Sequence, residues 1–137
     1  MKFVDRLVPA KGFAISLAED VLHQQKVCMG AVLTDRRGNV LSSGNNSLVT
    51  SHPVQAHWAK HAGREKSIYL HAEIAAMINN KTNLEHTIIV ARILKNGMLS
   101  KSFPCKICML ALMKMTSVER IVYADWEGDW KEYFIYG

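Results

Sequence analysis

Two short segments of this chain carry the residue types that hold a metal and move protons: His71-Ala72-Glu73 and Pro104-Cys105-Lys106-Ile107-Cys108. One imidazole and two thiolates make three ligands suited to Zn2+, and they leave its fourth tetrahedral position for water. Each segment opens a predicted helix. A helix N-terminus carries partial positive charge and free N–H groups, which favour the thiolate forms of Cys105 and Cys108. Two residues from His71, Glu73 can reach a water on the metal instead of the metal itself. Zinc lowers the pKa of such a water to about 7. One carboxylate can then take its proton and return it to a ring nitrogen and a departing amine.

Two blander readings compete. A closed zinc site would only brace the fold, with Cys28, His23 or His86 as fourth ligand, but none of these has tight spacing to the others. A redox-active Cys-x-x-Cys would make His-Ala-Glu a coincidence. Cys28 sits in the apolar run Val27-Cys28-Met29-Gly30-Ala31-Val32-Leu33 and reads as a small buried hydrophobe.

The elements that must position these residues follow from apolar spacing. Gly12 to Gln25 has helical spacing. Val27 to Thr34 and Val40 to Ser43 flank the turn-rich Asp35-Arg36-Arg37-Gly38-Asn39 and read as a β-hairpin. Ser51-His52-Pro53 starts a short helix over Val54 to Ala62, and His71 to Asn80 is a second helix. His86 to Leu94 reads as a buried strand before the turn Lys95-Asn96-Gly97. Pro104 is expected at the first position of a helix reaching about Met115, where its missing N–H costs nothing. Arg120 to Ala124 is the final strand, and Asp129 to Phe134 reads as a short terminal helix. The last two strands are separated by a helix, so they are expected to be parallel. This order predicts a single α/β domain, residues 1–137, with helices flanking one mixed central sheet.

His-x-Glu followed by Pro-Cys-x-x-Cys is the signature of the zinc nucleobase deaminases. From about Gly12 to Tyr133 the chain resembles the cytidine deaminase-like superfamily, which implies that family's three-layer fold, one catalytic Zn2+ and hydrolytic deamination. Its His-Ala-Glu form is similar to deoxycytidylate deaminases, tRNA adenosine deaminases and APOBEC-type editors, whereas free cytidine deaminases usually have Cys in place of the His. The resemblance implies His71, Cys105 and Cys108 as ligands and Glu73 as the proton shuttle. Ala72, held between ligand and acid, is placed at the substrate. Gly44-Asn45-Asn46 matches a family Gly-x-Asn that sets an Asn on the sugar hydroxyl, which gives that role to Asn46; the plain alternative is a turn. Tyr123 and Trp126 match a loop whose aromatics stack on bases, and Phe103 is expected on the opposite wall of the pocket.

The segment between Asn46 and His71 is long, closer to deoxycytidylate deaminases than to tRNA adenosine deaminases. It holds His52, His57 and His61, with the last two at i, i+4 on one helical face. A solvated cationic face is the expectation there, with a phosphate or second-metal contact as the alternative.

Seventeen Lys and Arg against twelve Asp and Glu give a net charge of +5, a field that favours anionic partners such as nucleotides. With 49% hydrophobic and 21% charged residues, the composition is that of a globular domain. Three cysteines are too few for a disulfide framework. No apolar run reaches a membrane span, and Met1-Lys2-Phe3-Val4-Asp5-Arg6 lacks a leader's apolar stretch; a cytoplasmic place is expected. The favoured function is deamination of a cytosine-containing nucleotide resembling dCMP. The alternatives are an editor of cytosine or adenine in single-stranded DNA or RNA, and an inactive zinc-bound scaffold. The apolar faces of the ligand-bearing helices suggest a homo-oligomer.

Overall fold

The run from Cys28 to Thr34 has β-branched and small residues with no polar break, the pattern of a strand covered on both faces. In the computed structural model, which describes residues 5–136, it forms β1 (Cys28–Thr34). The leader reading rests largely on residues 1–4, which lie outside that range. β1 pairs antiparallel with β2 (Val40–Asn45) on one side and with β3 (Thr87–Ile93) on the other. β3 also pairs antiparallel with the two-residue β4 (Leu99–Ser100) and parallel with β5 (Arg120–Ala124). The parallel pair is the one expected from the intervening helix α4 (Lys106–Met115). β6 (Trp130–Phe134) closes the order β2-β1-β3-β5-β6.

Alternation along the central strands sorts the core into two layers. Ala31, Leu33, Ile88, Val90 and Ile121 point to one face, where α2 (Pro53–His61), α3 (Ala72–Asn79) and α4 cover them. Val32, Ile89, Ala91 and Val122 point to the other, where α1 (Val8–Asp20) packs through Leu7, Ala10 and Ala14. This is the expected three-layer α/β fold. α1 lies so close to β1 that a Cβ on Gly30 would stand 2.2 Å from the Ala14 carbonyl oxygen. Likewise a Cβ on Gly44 would stand 2.5 Å from the Ala75 Cβ, so an absent side chain sets how deeply α3 sits.

Three expectations are corrected. The first helix begins at Val8 and ends at Asp20, not Gly12 to Gln25. Its start is set by Pro9 in the first turn and by the Asp5 carboxylate, which accepts from the Leu7 N–H and pairs with Lys11. Pro104 does not open α4: Cys105 is the cap, in extended conformation, and Pro104 precedes it. Asp129 to Phe134 is no helix. Trp130–Phe134 is a strand antiparallel to β5, and Asp125 turns the chain by accepting from the Glu127 and Asp129 N–H groups, with Gly128 at φ +83°.

Candidate active site

His71 and Cys105 are the N-cap residues of α3 and α4, and Cys108 stands in the first turn of α4. Both caps are extended, with ψ of 152° and 173°, so each side chain swings off its helix axis towards the other. The backbone of His71 is held from α2, where the fully buried Gln55 accepts from the His71 N–H at 3.1 Å and donates to the Ser67 carbonyl.

His71 Nδ1 lies 3.5 Å from Cys105 Sγ and 3.4 Å from Cys108 Sγ. For zinc–nitrogen and zinc–sulfur bonds of ordinary length, the edge of a tetrahedron is about 3.5 Å. The three donor atoms all lie within 4.8 Å of one another, and they form the one such metal-holding group among the described residues. Neither Cys28, His23 nor His86 joins them. Cys28 is fully buried with its thiol directed at the Val21 and Gln25 carbonyls. A set of three protein donors with no fourth is the composition of a catalytic zinc site, not of a closed structural one.

Electrostatics within the cluster follow from burial and mutual hydrogen bonding. A hydrogen bond from the Cys108 thiol pulls the Cys105 pKa down to about 4, with His71 adding to the effect against desolvation. Burial pushes the Cys108 thiol well above its usual range. The hydrogen bond with Cys105 raises His71 despite desolvation. Glu73, in the first turn of α3, is only 2% exposed, and burial followed by the Cys105 charge raises its carboxyl pKa. Its Oε1 is buried without a hydrogen-bond partner. A buried polar atom left unpaired costs free energy, so its persistence points to a partner that the chain itself does not supply.

The sequence profile described as the cytidine and deoxycytidylate deaminase zinc-binding region matches residues 10–125. The chain belongs to this family. His71, Cys105 and Cys108 are thus a candidate zinc site in a zinc-binding deaminase family, as the sequence motifs implied. The fold is similar to that of a cytidine deaminase from Burkholderia pseudomallei, with a TM-score of 0.55 at 15% identity, covering 90% of this chain and 91% of that one. No curated protein matches the chain significantly.

Two recesses flank the donors of this deaminase-family site. One, of about 270 Å3, is lined by Val27, Met29, His71, Glu73, Arg92, Lys101, Phe103 and Cys105. The other, of about 390 Å3, shares Val27, Met29 and His71 and adds Asn46, Leu48, Lys66 and Tyr69. A larger recess, of about 420 Å3, lies beyond the far ends of β1 and β3 around Arg36, His86 and Glu119. It holds none of the three donors.

The expected substrate contacts separate in space. Asn46 lines the second recess, but both ends of its amide are engaged: Oδ1 accepts from the Met29 N–H at 2.8 Å and Nδ2 donates to the Val27 carbonyl at 2.9 Å. Phe103 lines the first recess, as expected. Tyr123 stands behind it, edge-on at 4.9 Å between centroids, and Tyr133 of β6 supports it at 5.6 Å. Trp126 is 68% exposed, with the Lys101 ammonium 5.1 Å from its ring centre. Ala72 is fully buried in the core and lines neither recess. His52 caps α2 by accepting from the Val54 N–H, and His57 and His61 stack on the outside of α2 at 4.4 Å. Sequence reasoning missed Gln55, Val27, Met29, Arg92 and Lys101. Of these, only Gln55 carried a usable signal, an uncharged polar residue on the apolar face of α2.

Among the described residues no helix is long and apolar enough to cross a membrane.

Proposed function

We propose that this protein hydrolyses the exocyclic amino group of cytosine in a nucleotide resembling dCMP, giving the uracil form and ammonia. The observation that carries the reading is the buried Glu73 carboxylate, its Oε1 without a hydrogen-bond partner, beside a three-donor metal cluster. An inert scaffold has no use for that carboxylate, because metal binding alone does not require it.

Zn2+ held by His71, Cys105 and Cys108 would supply a water acidic enough to ionise near pH 7. Glu73 accepts a proton from the attacking water as its oxygen joins C4 of the ring. The same carboxyl delivers that proton to ring N3. The remaining proton is relayed to the amine as the C4–N bond breaks, so water and cytosine leave as uracil and ammonia. Phe103, Val27 and Met29 present apolar faces to the ring and keep bulk water from the carboxylate. Asn46 orders the backbone of Val27 and Met29 and offers its second amide hydrogen to the sugar.

One observation favours a second reading. The exposed Trp126 beneath Lys101 is a surface on which a neighbouring base of single-stranded DNA or RNA could stack. Exposed Met113 and Met115 on α4 support a homo-oligomer. Ammonia release by the zinc-loaded protein from dCMP, dCTP, deoxycytidine, adenosine and single-stranded oligonucleotides tests the substrate. Turnover of dCMP with inert oligonucleotides is expected; activity on oligonucleotides alone transfers the proposal to editing, and inertness on all substrates refutes it.

A further inference from the structure

The recess that contains His71, Glu73 and Cys105 has two cations on its wall and one acid, Glu73 itself. Arg92 is half-buried on β3 and has neither a carboxylate nor a hydrogen-bond acceptor among the described residues. Its cross-strand partner on β1 is Met29, which lines the same recess. The second cation arrives because the chain doubles back after Lys95-Asn96-Gly97: β4 sets Ser100 opposite Arg92, so Lys101 follows beside it. Lys101 has no acidic partner either, and its ammonium rests over Trp126. Of the cations lining the two recesses beside the donors, Arg92 and Lys101 share the one that holds Glu73, and Lys66 stands in the other. Two cations on the wall of one half-enclosed recess attract a compact anion.

We infer that Arg92 and Lys101 are the specificity-determining residues that clamp the phosphate of the nucleotide proposed above; the inference rests on the deaminase reading for the base end of the ligand. A guanidinium offers two parallel N–H donors to phosphate oxygens, and Lys101 adds a point charge. The Trp126 ring, 5.1 Å from the Lys101 ammonium, marks where that charge stands. A phosphomonoester carries about −1.5 to −2 charges at pH 7, which the two cations neutralise. Phe103 lines the same recess and offers it an apolar face.

The test compares dCMP with deoxycytidine as substrates of wild type, Arg92→Gln, Lys101→Met and Lys66→Met. It also measures binding of dUMP against deoxyuridine by calorimetry on the zinc-loaded proteins. Wild type is expected to favour the phosphorylated member of each pair. Arg92→Gln should cut that preference about 10- to 100-fold, with Lys101→Met less severe and Arg92→Lys recovering part of it. An equal loss on both members of a pair marks Arg92 as merely structural and overturns the clamp. A preference lost in Lys66→Met instead places the phosphate in the Asn46 recess and also overturns it. Arg92-dependent dUMP binding without hydrolysis of any cytosine compound would refute the deaminase reading and leave the clamp standing. Equal hydrolysis of dCMP and deoxycytidine by wild type would do the reverse.

Discussion

The Ser102 hydroxyl donates to the Val90 carbonyl at 2.7 Å, three residues ahead of the first cysteine donor. The same oxygen accepts from the Ala124 N–H at 2.9 Å, and the Ser102 N–H donates to the Ala124 carbonyl. β3 and β5 are in register only from Thr87 to Ile89 and from Arg120 to Val122. Beyond that point Ser102 takes the place of a strand partner for both. Phe103, Pro104 and Cys105 therefore enter the site from a fixed anchor. Ser102→Ala leaves a buried carbonyl and a buried N–H unpaired, at about 1–3 kcal/mol for each group. Thermal unfolding should shift downward accordingly, and Ser102→Thr, which keeps the hydroxyl, should recover most of the loss.

The other end of that parallel pair is fastened by Glu85. Its carboxylate accepts from the Ser117 N–H, the Ser117 hydroxyl and the Asn80 amide. Desolvation raises its pKa, but these hydrogen bonds outweigh it, so the folded value lies below the usual 4.5. The folded state therefore gains from Glu85 fully above about pH 5, and the gain disappears as pH falls through the lowered value. Unfolding temperatures of wild type and Glu85→Gln should differ at neutral pH and draw together as pH falls below the usual 4.5 and through the lowered folded value. A constant difference across that range would refute the linkage.

Glu73→Gln should keep its zinc and lose turnover by about 100- to 10,000-fold. Cys105→Ala is the contrast, losing zinc by elemental analysis and thermal stability with it. Comparable activity in Glu73→Gln would remove the shuttle role.

Asn46→Ala should retain zinc while kcat/KM falls, because the Val27 and Met29 backbone loses its buried bracket. Unchanged kinetics would reduce Asn46 to a turn residue.

The donors and Glu73 were legible because their chemistry is encoded in type and local spacing. His-x-Glu and Cys-x-x-Cys each fall within one helical turn. β6 was not read, yet its turn repeats a pattern already recognised. Asp35 accepts from the Arg37 and Asn39 N–H groups with Gly38 at φ +88°, and Asp125 and Gly128 repeat the device at the same spacing. Read as a second copy of Asp-x-x-Gly, Asp125 to Gly128 announces a hairpin, and Trp130 to Phe134 its second strand. Arg92 and Lys101 were illegible for another reason. Their proximity depends on the β3–β4 register, a pairing of two residues with no hydrophobic signature. Trp126 was expected in a loop after the last strand, but the Lys101 ammonium over its ring comes from a separate segment that no local spacing ties to it.

The donors come from the starts of two helices, His71 and Cys105 standing 34 positions apart in the chain. During synthesis at about 5–20 residues per second, His71 waits about 2–7 s for the cysteines to be made. Even then no chelate exists until α4 docks beside α3, because neither cap alone offers more than one donor type. Metal capture is thus a late event in the life of the nascent chain. The ion then ties together the starts of two helices that the chain makes far apart in time, so its capture reports that α3 and α4 have met.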